Sequence, residues 1–419
     1  MKRHIGTLTF VFLFGFAAPN FLHAQYGMSS ARSLAMGGAY TALARGVQAP
    51  GWNPANLALP REKRFELNML SIGVDFHNNS FTKKFYDLYN GRFLTAEDKR
   101  NILAAIPANG LTSTLDTEIQ ALGFSAGAFA FTVRGLAASE VQMSKDLAEL
   151  VLFGNEIGRS YDIGDTDGEG WSAASVALSF AFPLQVRAFK KFTLGFSLKY
   201  LHGFAFAKVR EATSKIQTDE SAVYGSGKIV VDRSFGGNGF GLDLGAAAQL
   251  SENTFLSVGI TNLANYIKWS TSSKRFTYSF QIDSLSVERA DSRGLDSVFV
   301  DSEVTTDLNA FTVSLPSQLR IGLAHTTGRL SLALDVKQGL RSGPGVSSQP
   351  EVALGTEVKP IGFLPLRAGV SFGGNRGLSA GAGFALDFSV FSWSFAVASR
   401  GGMFNGRGVA AGFDWVFRF

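Results

Sequence analysis

The feature that most constrains this chain is a two-residue alternation of side-chain character that recurs along much of its length. From Phe240 to Leu250 the even positions are Phe, Leu, Leu, Ala, Ala and Leu, while the odd ones are Gly241, Asp243, Gly245, Ala247 and Gln249. Phe192, Leu194, Phe196, Leu198 and Tyr200 alternate in the same way with Thr193, Gly195, Ser197 and Lys199. So do Leu330, Leu332, Leu334 and Val336 with Ser331, Ala333, Asp335 and Lys337. Period two belongs to β-strands with two unlike faces. A soluble sandwich alternates as well, so the less apolar face decides. In a sandwich that face meets water and is rich in Lys, Glu, Thr and Gln, whereas here it is Gly, Ala and Ser with scattered single charges. Small residues suit a crowded, concave interior, and a face dense in Phe and Leu suits lipid. The pattern predicts an all-β chain that forms an antiparallel transmembrane β-barrel.

Composition supports this. The chain is 46% hydrophobic with 38 Phe and 47 Gly, yet beyond the N-terminus it has no apolar run of the roughly 20 residues that a spanning helix needs. Fourteen strand segments can be marked out, from 63–76 to 408–419, an even number as such barrels require. Long outer loops are expected at 77–116, 137–170, 207–237, 262–316 and 339–350, alternating with short turns on the other side. Tyr200, Phe204, Trp393 and Trp415 fall where interfacial aromatic girdles belong. The last strand carries Phe413, Trp415, Phe417 and a terminal Phe419, which resembles the signature by which barrel-assembly machinery recognises its clients.

Lys2 and Arg3, the apolar stretch Phe10–Ala18 and Ala24 form a secretory signal pattern, placing residues 1–24 as a signal peptide. Residues 25–60 then form a separate N-terminal segment and 61–419 the barrel, with the cell outer membrane as destination. Loss of Lys2 and Arg3 lowers the formal charge from +5 by two, and no nucleic-acid partner is implied. The chain has no cysteine, which excludes a lipidated N-terminal Cys, disulfides and thiolate chemistry. Beyond the signal only His77, His202 and His325 remain, split between opposite rims. No metal site or cofactor is expected. Gly369-Val370-Ser371-Phe372-Gly373 matches a nucleophile-elbow string, but inside an alternating strand rather than a strand-turn-helix, so the chain is not read as an enzyme.

Residues 29–59 lack period two. Ser29 or Ser30 can cap a short helix, Gly37-Gly38 marks a break or a close backbone approach, and Asn53 can cap a second helical turn whose first position is Pro54. Ala31-Arg32-Ser33-Leu34-Ala35-Met36-Gly37-Gly38-Ala39 together with Trp52-Asn53-Pro54-Ala55-Asn56-Leu57 resembles the N-terminal hatch of the FadL superfamily, and is most similar to the branch that contains PorV. Gly239–Gly245 and Leu315–Leu323 resemble strand signatures of the same branch. The resemblance implies a fourteen-stranded barrel with a small N-terminal hatch in its lumen. Gly37, Gly38, Asn53, Pro54 and Ala55 would then form either a rigid plug or a movable gate.

The resemblance further implies one of two functions. The first is passive transfer of hydrophobic small molecules such as long-chain fatty acids. The alternative is a type IX secretion accessory that binds exported protein cargo. Alternation points Lys199, Asp243, Arg320, Asp335, Arg367 and Asp387 into the lumen, along with Lys337, Glu357, Asp414 and Arg418, either as paired networks or as a polar path. Two outer-loop stretches read as helices: Thr95–Ile106, with Thr95 and Asp98 set as a capping box, and Lys145–Phe153. On the second, Leu147, Leu150 and Val151 share an apolar face that either packs on the rim or collects ligand.

Overall fold

The computed structural model of the chain describes residues 30–285 and 299–419; the signal segment 1–24 and Ser29 lie outside the described residues. Among these residues the barrel strands are β1 (Phe65–Asn78), β2 (Leu111–Ala126), β3 (Phe129–Met143), β4 (Asp167–Leu184), β5 (Lys191–Thr218), β6 (Gly237–Gln249), β7 (Thr254–Trp269), β8 (Ser317–Thr327), β9 (Leu330–Arg341), β10 (Glu351–Ile361), β11 (Leu364–Gly373), β12 (Ser379–Asp387), β13 (Phe391–Arg400) and β14 (Gly408–Arg418). They form a closed 14-strand antiparallel barrel. Closure is made by β14 on β1, from Glu66 opposite Arg418 to His77 opposite Gly408. A closed wall pairs its own backbone groups, which a lipid interior requires. Phe419 completes the seam, exchanging backbone hydrogen bonds with Phe65 at 2.9 and 3.3 Å. No helix among the described residues is long and apolar enough to cross a membrane.

The faces fall as alternation requires. Phe240 is 59% exposed and Leu198 54%, whereas Asp243 and Lys199 are 3% and 4% exposed. On the short-turn side, neighbouring rings run along the outer face in the order Phe65, Phe124, Phe129, Phe180 and Phe196. Trp393 and Trp415 form a cross-strand pair near the same rim, and Tyr200 and Phe204 are exposed towards the other end.

Two expected outer loops are largely strand. β5 runs on to Thr218 instead of ending near 206, and its outer half pairs with Val223–Ser234. That strand pairs with Lys274–Leu285, which in turn pairs with Phe299–Asp307. The result is an outer sheet whose last strand makes no ladder on its far side among the described residues. Alternation concealed it for a physical reason. Beyond the membrane no face needs a Phe and Leu coat, and these strands carry cross-strand ion pairs such as Lys228–Glu211 and Arg275–Asp232. β2 likewise starts at Leu111, before the expected 117. The helical stretches appear as α2 (Ala96–Ala105), with the Thr95–Asp98 capping box, and α3 (Lys145–Phe153). The helix Lys83–Tyr89 was not anticipated.

Candidate functional site: the barrel lumen

Residues 30–59 contain the short helix α1 (Ala31–Ala35), capped by Ser30, and the 3-10 turns Gly46–Gly51 and Pro54–Ala58. The Asn53 side chain accepts from Ala55 N and Pro54 stands at the first position, although the turn is 3-10 and not α. The segment touches the wall all the way round. Ala31 N donates to Asp414 on β14 at 2.9 Å, Arg32 grips Glu357 on β10, and Tyr40 N and Thr41 N share an Asp335 oxygen on β9. Val47 N donates to Glu66 on β1, Asn53 Nδ2 to carbonyls of β6 and β7, and Arg320 on β8 to Gly51 O. A segment that meets opposite walls of a closed cylinder lies within it.

Inward glycines make this possible. A Cβ on Gly369 would lie 2.1 Å from Met36 C, one on Gly381 2.1 Å from Leu34 O, and one on Gly195 2.4 Å from Ala55 N. Gly37 is itself at φ +66°, and a Cβ there would strike the Val370 backbone at 2.7 Å. Gly38, at φ +95°, has only the Glu351 carboxylate within reach. Backbone therefore lies directly on backbone, which no larger side chain permits.

Along β5 the lumen changes character with height. Next to the N-terminal segment lies Thr193, donating to Ala55 O. Lys199 follows, bonded to Asp243 and Asn262 in a buried polar clamp. Above it stand Leu201 and Phe206, part of an apolar cluster with Leu136, Trp171, Ile267, Trp269 and Leu315. Phe311 and Val313 pack over this cluster from a three-residue strand paired with Ile267–Trp269. Beside the cluster the β7–β8 ladder breaks, because Pro316 has no N–H and Asn262 takes φ 55°. Side chains close the gap: Asn262 Nδ2 donates to Pro316 O at 2.9 Å and Asn265 Nδ2 to Leu315 O at 3.1 Å.

The other inward charges are mostly paired. Arg367 bonds Glu357 at 2.6 Å, and Lys337 bonds Glu351 at 2.9 Å. Arg320 lies over the Trp52 ring at 4.4 Å. Asp387 pairs with Arg418 at the rim and is partly exposed, so it sits away from the deep network. At the outer mouth Arg376 bridges Asp116 and Asp75, beside a shallow recess whose lining includes Glu140 and Lys337. On α3, Leu147 and Leu150 are half-buried and Val151 is 74% exposed. The apolar cluster and the Asn262–Asn265 seam were not anticipated as a site. Trp171, Trp269 and Pro316 were visible in the sequence, but only the fold brings them together.

A model of a family of unknown function, DUF5723, matches residues 54–397. The chain belongs to that family. No curated protein matches it. Among solved structures, the toluene transporter TbuX of Ralstonia pickettii has a TM-score of 0.52 at 16% identity, over 93% of this chain and 98% of that one. The monoaromatic hydrocarbon channel CymD has a TM-score of 0.53 at 14% identity, over 94% and 99%. A FadL homologue of Pseudomonas aeruginosa scores 0.48 at 13% identity, over 95% and 97%. The DUF5723 chain thus shares its fold with TbuX and CymD.

Proposed function

We propose that this barrel passively transfers hydrophobic small molecules across the outer membrane. The observation that carries the reading is the inward-facing cluster of Leu136, Trp171, Leu201, Phe206, Ile267 and Trp269 above the polar clamp. Such barrels line their interior with polar side chains, and an apolar region there gives a sparingly soluble molecule a place to leave water. The likeness in fold to a toluene transporter and a monoaromatic hydrocarbon channel supports the same reading. Monoaromatic hydrocarbons and long-chain fatty acids are the candidate substrates.

In this reading residues 1–24 export the chain, Phe419 presents it to the assembly machinery, and residues 25–60 form the hatch. Gly37, Gly38, Asn53, Pro54 and Ala55 are then the points at which the hatch bears on the wall or shifts. Leu147, Leu150 and Val151 collect ligand at the outer surface. The test is uptake of labelled toluene and oleate by cells with and without the protein, then with Leu201→Gln in a barrel that still migrates differently when boiled. Uptake should require the protein and fall in the variant. Equal uptake in all three would overturn the reading.

A second reading, a secretion accessory that holds exported protein, is favoured by one feature, the edge of Phe299–Asp307 in the outer sheet, which has no far-side ladder among the described residues. Secretion that stops on deletion of the protein, with solute uptake unchanged, would select it.

A further inference from the structure

The apolar cluster contains one polar atom that its surroundings leave unanswered. Trp269 is 1% exposed, and its indole N–H has no acceptor among the described residues. A buried indole normally finds a partner, and a donor left without one costs free energy. The position is also built around the ring. Gly203 faces it, and a Cβ there would lie 2.5 Å from Trp269 Cη2, while Phe206 packs at 5.6 Å between centroids. The lid over the cluster is slight, only Phe311–Val313 held by three register pairs and followed by the break at Pro316. A flat molecule entering beneath that strand meets apolar side chains and the enclosed, unanswered donor of Trp269.

We infer that Trp269 selects for an apolar ligand bearing one hydrogen-bond acceptor, such as an aryl carbonyl compound, over a bare hydrocarbon of the same size. This rests on the transfer reading above and names its substrate class. A hydrocarbon leaves the indole N–H unanswered, whereas a carbonyl oxygen accepts from it. A site that offers a hydrogen bond discriminates against the analogue unable to make it.

The test compares toluene with benzaldehyde, using the purified full-length barrel and correcting each ligand for partition into protein-free micelles. Benzaldehyde should bind about three- to tenfold more tightly than toluene. Trp269→Phe, which keeps an aromatic ring and removes the donor, should abolish the difference between the two ligands. A second measurement does not need that variant to fold. In ¹⁵N-indole spectra the Trp269 resonance is the one retained in each of W52F, W171F, W393F and W415F, since the chain has five Trp. It should move downfield with benzaldehyde and stay in place with toluene. Equal binding of the two ligands, or a preference that survives in W269F, overturns the inference while the transfer reading stands. Binding of neither ligand overturns both.

Discussion

At the level of single residues, two kinds of position hold the lumen together, and they fail in different ways. The inward glycines act by absence. In Gly369→Ala the new methyl would overlap Met36 and Gly37 backbone, which cannot rotate aside as a side chain would. Overpacking of this kind costs about 1–3 kcal/mol. The expected outcome is a barrel that still forms while residues 30–59 become sensitive to added protease; resistance equal to wild type would mean that the segment yields without leaving its seat. Lys199 acts by presence. It is bonded to Asp243 and Asn262, with both charged side chains almost wholly buried. Lys199→Met leaves a buried carboxylate without its cation, which costs about 3–5 kcal/mol. Thermal unfolding in detergent should therefore shift down sharply, and Lys199→Met with Asp243→Asn should recover part of the loss.

Among the elements, the outer sheet is the one the barrel does not need for closure, and its stability rests on charge. Asp232 receives hydrogen bonds from Arg210 and Arg275. Burial alone would raise its carboxyl, but these two guanidiniums outweigh burial and hold it below the ordinary carboxylate range. A carboxyl lowered by folding contributes stability above its unfolded range, and that contribution is lost as pH falls through the folded value. Protease cutting within the outer-sheet stretches 207–234, 274–285 and 299–307 should therefore rise as pH drops below about 4. Asp232→Asn should be cut faster at neutral pH and show a flatter pH profile. A profile identical to wild type would place the stability of the sheet elsewhere. The barrel strands, closed on one another, should remain uncut throughout.

For the whole molecule, closure predicts resistance, and the proposed hatch predicts blockage. The closed barrel should migrate differently on a denaturing gel before and after boiling. Deleting residues 26–59 removes the backbone that now lies against Gly195, Gly369 and Gly381. The inserted barrel should then conduct more in planar bilayers. Unchanged conductance would mean that the outer mouth, where Arg376 bridges Asp75 and Asp116, is the tighter closure.

Local sequence pattern was enough for the barrel, its two faces, the strand number and the caps at Asn53 and Thr95, and it narrowed the first helix cap to Ser29 or Ser30. Each depends on neighbours two to four residues apart, and lipid leaves no alternative for an alternating Phe and Leu face. It also showed small inward residues and matched them to a crowded, concave interior, without the contact-level reason for each glycine. That reason is the N-terminal segment lying against Gly369 and Gly381, more than 300 positions away along the chain. Tertiary structure alone decided the partners of the inward charges, such as Arg32 with Glu357. It also decided the outer sheet, whose strands obey water on both sides and so lose the contrast that made the others legible. The enclosure of Trp269 by residues of β3, β4, β5 and β7 belongs to the same class. Contacts between distant positions are set by how the cylinder closes, and a local pattern carries no record of that.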